Sequence, residues 1–128
     1  MERKFDINSN ITKAETLPAR FYRDAEIFEA LREKVFYRTW QWVGTTDQVP
    51  ETGAVYPFTL LPQYLDEPIV LTRDSKEAVH CLSNVCTHRG NLVARDTGTV
   101  RKLICGYHGR RFTLDGQFEH MPEFQETQ

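Results

Sequence analysis

Cys86-Thr87-His88-Arg89-Gly90 and Cys105-Gly106-Tyr107-His108-Gly109 decide how this 128-residue chain is to be read. Each stretch offers one thiolate and one imidazole, and each ends in glycine. Soft thiolates suit zinc and iron–sulfur clusters, and imidazole binds both metals. Cys86 and His88 stand two positions apart, a spacing that no helix face brings together. Both pairs, each followed by glycine, are expected on tight loops. Gly90, Gly106 and Gly109 fall where such loops need positive φ or a close backbone approach. Two chemistries use this donor set. A structural Cys2His2 zinc site is one, but zinc fingers run Cys, Cys, His, His. Here the order alternates, which suits an iron–sulfur cluster that takes one ligand of each kind from each loop.

Composition narrows the surroundings. Hydrophobic residues make up 40%, enough for the core of one small domain. Sixteen Lys and Arg against 18 Asp and Glu leave a net charge of −2, so no basic footprint points to nucleic acid. No apolar run approaches the roughly 18 residues of a membrane span. Met1-Glu2-Arg3-Lys4 leads into Phe5-Asp6 and not into an apolar signal core. With two cysteines assigned to metal, Cys81 is left over, which argues against a disulfide framework and for a reducing cytosol. The expectation is a cytoplasmic protein with neither nucleic acid nor membrane as partner.

Along the chain the hydrophobic period changes once. Residues 1–40 read as a helical lead-in, interrupted at Pro18. Asp24 caps an expected helix from Ala25 to Trp40, on which Ile27, Phe28, Leu31, Val35 and Phe36 recur at three- and four-residue steps. Trp40 and Trp42 are expected in the core. From residue 41 to 128 the period is two. Strands are expected at 41–44, 54–61, 69–73, 78–84, 102–104, 111–114 and 117–119. Asp115-Gly116 is a hairpin signal between the last two. Many short strands separated by turns point to a mainly β antiparallel sandwich or barrel.

The two loops together resemble the Rieske [2Fe–2S] domain of the large (alpha) subunit of aromatic-ring-hydroxylating oxygenases. Leu17-Pro18-Ala19 before an aromatic pair, the Trp40 segment and Asp115-Gly116 extend the likeness over most of the chain. The resemblance implies a cluster held by Cys86 and Cys105 on the inner iron and His88 and His108 on the outer one. Replacing two thiolates by neutral imidazoles removes negative charge, so such a cluster accepts an electron more readily. Respiratory Rieske proteins carry an extra cysteine in each loop. The matching places here are Asn91 and Tyr107, so no such bridge can form. Those proteins also place serine and tyrosine after the second histidine, where this chain has Arg110 and Phe112. Fewer hydroxyl donors imply a potential toward the low end of the Rieske range of roughly −150 to +300 mV. Arg110 also stands where many oxygenases have tryptophan.

Oxygenases of this kind need a second, mononuclear iron in a 2-His-1-carboxylate site. Only His80 and His120 remain, and both read as ordinary polar residues, so that catalytic domain is expected to be absent from this chain. The chain is then a domain of a longer subunit or a short natural product. Three functions follow. One is the electron-transfer domain of a ring-hydroxylating oxygenase, loaded by a ferredoxin or a flavin/iron–sulfur reductase. It would serve its own catalytic domain or a neighbouring subunit. The alternatives are a freestanding Rieske-type ferredoxin and a structural zinc module. Arg89 and Arg110 flank the histidines either as charges tuning the cluster or docking a carrier, or as solvated side chains, whereas Arg111 reads as solvated.

Overall fold

The computed structural model describes Phe5 and residues 7–123. The chain divides into two compact units, Met1–Gln41 and Trp42–Gln128.

In the first unit one α-helix forms, α1, over Ala25–Lys34. Asp24 caps it as expected, its carboxylate accepting the Glu26 N–H at 3.0 Å. The helix ends six residues before Trp40. Val35, Phe36 and Tyr37 are β-branched or aromatic and hold a helix weakly. Side chains take over the last carbonyls. Thr39 Oγ1 donates to the Val35 carbonyl at 2.9 Å, and Arg38 Nε donates to that of Glu33 at 3.1 Å. Phe36–Arg38 tightens into a 3-10 turn, as does Ala19–Tyr22. Residues 11–17, read as helical, form only a turn followed by irregular chain.

The second unit is mainly β. A four-stranded antiparallel sheet has the order β3-β2-β1-β4, built from β1 (Ala54–Leu60), β2 (Glu67–Arg73), β3 (Val79–Ser83) and β4 (Gly98–Thr99). Its register runs Val55 opposite Thr72 and Leu71 opposite Cys81. A three-stranded sheet follows the order β5-β6-β7, from Leu103–Ile104, Arg111–Phe112 and Phe118–His120. The expected mainly β antiparallel architecture after a helical lead-in is what forms. Two expectations fail. Residues 41–44 make no strand, because the chain enters a capping box in which Thr45 and Gln48 exchange hydrogen bonds around the 3-10 turn Thr46–Gln48. The indoles of Trp40 and Trp42 are 102% and 81% exposed and enter no core.

β2 shows why this sheet is stable. Val70, Leu71 and Thr72 are all buried, so both faces are covered. Leu71 meets Val49 and Ala54 on one side. Val70 joins Val55, Leu103, Phe112, Leu114, Cys86 and Cys105 on the other. That second cluster draws on both sheets and contains both loop cysteines. Thr72, fully buried, donates its hydroxyl to the Leu114 carbonyl at 2.5 Å, tying β2 to the turn after β6.

Candidate metal centre

The two loops have the same backbone construction. The first is closed at its base by a bridge between Val85 and Leu92, the second by the pairing of Ile104 with Arg111 in β5–β6. Six residues span each base, Cys86–Asn91 and Cys105–Arg110. In the first, the Cys86 N–H donates to the Asn91 carbonyl (2.8 Å) and the Gly90 N–H to the Cys86 carbonyl (3.0 Å). In the second, the Cys105 N–H donates to the Arg110 carbonyl (2.9 Å) and the Gly109 N–H to the Cys105 carbonyl (3.0 Å). Gly90 and Gly109 hold φ of 70° and 72°, a left-handed conformation that costs L side chains energy. Gly106 does not share that conformation. Its φ is not positive, and a Cβ there would meet no protein atom within 4 Å.

This construction brings like donors together. Cys86 and Cys105 are each 2% exposed and lie in the core. Both belong to the same core cluster, and the Cys86 thiol is near enough to lower the pKa of Cys105. The His88 and His108 rings stand 4.8 Å apart, centroid to centroid, inclined at 70°. His88 is half-buried and His108 exposed. Both line an open cleft of about 400 Å³ with Arg89, Met121, Pro122 and Glu123. Sulfur thus sits inward and nitrogen outward. Among the described residues no three His, Cys, Asp or Glu side chains converge on one ion's position. A single zinc bound by all four donors needs such convergence; a diiron unit gripped by sulfur at one end and nitrogen at the other does not.

Electrostatics favours the protonation states that ligands need. Burial pushes the Cys105 thiol up, but the Tyr107 backbone, the Asn91 side chain, the Cys86 thiol and the His108 backbone outweigh it and hold it below its ordinary value. Burial, then the charges of His108, Arg89 and Arg110, push His88 below its ordinary value, toward the neutral form. The donor set and its split therefore fit a [2Fe–2S] cluster.

Two residues of the site escaped the sequence reading. The Asn91 amide donates to Cys105 Sγ at 3.6 Å, reaching from one loop to the other's sulfur. Asn84, 3% exposed, clamps the base of the first loop. Its Nδ2 donates to the Ala94 carbonyl (2.7 Å), and its Oδ1 accepts the Ala94 N–H (2.8 Å). Asn91 follows Gly90 at the place that Arg110 holds after Gly109, and that repeat was the available signal. The remaining histidines lie outside the site. His80 bonds Asp74 through its Nε2 at 2.9 Å, as a hydrogen-bonded strand residue should, and His120 lies in β7 opposite Arg111.

A family model described as the Rieske [2Fe–2S] domain matches residues 39–128. The glycine betaine monooxygenase oxygenase subunit of Chromohalobacter salexigens is 36% identical over 103 residues, covering 80% of this chain and 22% of that protein. The biphenyl dioxygenase subunit alpha of Metapseudomonas furukawaii is 33% identical over 108 residues, covering 83% and 22%. Among solved structures, a quaternary ammonium Rieske monooxygenase in complex with L-carnitine superposes with a TM-score of 0.74 at 26% identity. That match covers 86% of this chain and 30% of the other. The chain thus spans about a quarter of the length of the proteins it matches.

Proposed function

This chain belongs to the Rieske [2Fe–2S] domain family, whose cofactor is a Rieske-type [2Fe–2S] cluster, and from that premise we propose that it is the electron-transfer domain of a Rieske oxygenase. Residues 1–40 would be its lead-in and 41–128 the cluster domain. The observation that carries the proposal is the separation of two buried sulfurs from two outward imidazoles. When bound, a [2Fe–2S] cluster stores and releases one electron. Cys86 and Cys105 would hold the inner iron. Their place in the hydrophobic core shields that end from water. His88 and His108 would hold the outer iron, and the exposure of His108 gives electrons a short way in and out. The Asn91 amide steadies the Cys105 sulfur as a thiolate.

The donor in this proposal is a ferredoxin or a flavin/iron–sulfur reductase. The acceptor is a mononuclear non-haem iron in the subunit's catalytic portion or in a neighbouring subunit. The named relatives oxygenate glycine betaine in one case and biphenyl in another. Aromatic-ring hydroxylation is therefore one of two chemistries the whole protein could share with them, and quaternary-ammonium oxygenation is the other. A reducing compartment, the cytosol, completes the proposal. Supporting it, Cys81, Cys86 and Cys105 are all unbridged. Among the described residues no helix is long and apolar enough to cross a membrane.

The test is metal and sulfide content with electron paramagnetic resonance of the dithionite-reduced protein. Iron and acid-labile sulfide in equal amounts, with the low average g of mixed nitrogen and sulfur ligation, are expected. A colourless protein holding zinc and no labile sulfide would overturn the proposal.

A further inference from the structure

We propose that Arg110 is a fixed cation that raises the reduction potential of the cluster, held in place over an aromatic shelf made by Phe112 and Phe118. The inference rests on the cluster being bound at the two-loop site.

Arg110 ends the second loop, two residues after His108. Its carbonyl accepts the Cys105 N–H, so its backbone is fixed to a cysteine of the site. Its guanidinium carbon lies 4.5 Å from the Phe118 ring centroid and 5.7 Å from that of Phe112. Both distances are within cation–π range. Phe112 is 8% exposed in the core and anchors the shelf, and the 46%-exposed Phe118 meets its ring edge to face at 6.3 Å across β6–β7. Arg110 Nε is buried and finds no hydrogen-bond partner among the described residues. Among the described residues no carboxylate forms an ion pair with the guanidinium.

An arginine placed only for solubility extends its head into water. Arg110 instead lies over the Phe118 and Phe112 rings at the end of the loop that carries His108, with no ion-pair partner among the described residues. On reduction the site gains one electron and one unit of negative charge. A positive charge held nearby in partly desolvated surroundings stabilises that state more than the oxidised one. Arg110 would thus offset part of what is lost with the hydroxyl donors at positions 110 and 112.

The test is protein-film voltammetry on the cluster-loaded chain at low and high ionic strength, comparing wild type with Arg110→Gln, Arg110→Trp and Arg110→Lys. The two neutral variants should shift the midpoint negative, on the order of tenfold in the one-electron equilibrium, about 59 mV. Lysine should keep at least half of the wild-type advantage. Neutral variants with the wild-type midpoint at low ionic strength would overturn the proposal, as would a lysine variant that shifts as far as glutamine. Failure of all three variants to bind a cluster would show Arg110 to be structural and overturn it too. A wild type that holds zinc without labile sulfide would instead sink the proposed function, and that is seen before any variant is made.

Discussion

Asn84→Leu should unfold the cluster domain more easily than its single changed side chain suggests. Leucine keeps nearly the same shape but removes both hydrogen bonds to Ala94, at 2.7 and 2.8 Å. Each buried partner left unpaired costs about 1–3 kcal/mol, a figure that already includes the lost bond. Water can reach Ala94 in part, so the sum is about 3 kcal/mol. With a urea m-value of about 1–1.5 kcal/mol/M for a unit of this size, the midpoint should fall by about 2–3 M. The same substitution loosens the base of the first loop, which keeps only the backbone bond from the Val93 N–H to the carbonyl of residue 84. Far-ultraviolet circular dichroism and the visible cluster absorbance, followed together in urea, read both effects. The visible band should disappear at or before the loss of strand signal. A stability change under about 0.5 kcal/mol would refute the clamp, since it would mean that Ala94 finds other partners at no cost.

Three further outcomes are expected. His108→Cys adds a third thiolate, so a cluster that assembles should show a lower midpoint potential, and an unchanged midpoint would mean that His108 is not a ligand. Asn91→Leu removes the 3.6 Å N–H···S contact to Cys105 and should lower the potential by about 20–40 mV. That range takes such a contact to favour the reduced state by about 0.5–1 kcal/mol, against 59 mV for each tenfold. Voltammetry on the loaded proteins checks both. Asp74 is held below its ordinary value of 3.8, chiefly by the side-chain hydrogen bond to His80. A carboxylate lowered in the folded state adds stability that is complete above its unfolded pKa and is lost as the pH falls through the lowered value. The advantage of wild type over Asp74→Asn should therefore hold at about pH 5 and shrink below about pH 4. Urea midpoints measured across that window would contradict the linkage if the gap stayed constant.

Much of the site could be read locally. The four donors, their alternating order and the glycines at 90 and 109 are carried by a few adjacent residues. Tight loops demand those types whatever surrounds them. Strands β1 to β3 were legible for a similar reason, since alternation and turn residues are short-range signals. The two-residue β4 was not, because Gly98-Thr99 has no alternation and is a strand only by pairing with Ala54 and Val55. The helix was drawn too long because the periodicity of Val35 and Phe36 continues past the point where side chains capture the last carbonyls.

The sequence by itself determined which atoms can bind metal and that they lie on two glycine-ended loops. That sulfur pairs with sulfur and imidazole with imidazole was implied only by resemblance, and the tertiary structure is what puts the first pair in the core and the second toward the surface. It alone also shows Asn84 holding one loop's base and Arg110 resting on Phe118. The physical reason is range. A donor's chemistry belongs to its own residue, whereas its neighbour across the site comes from a loop 19 residues away, as Cys86 is from Cys105, and is set by how two sheets share one core.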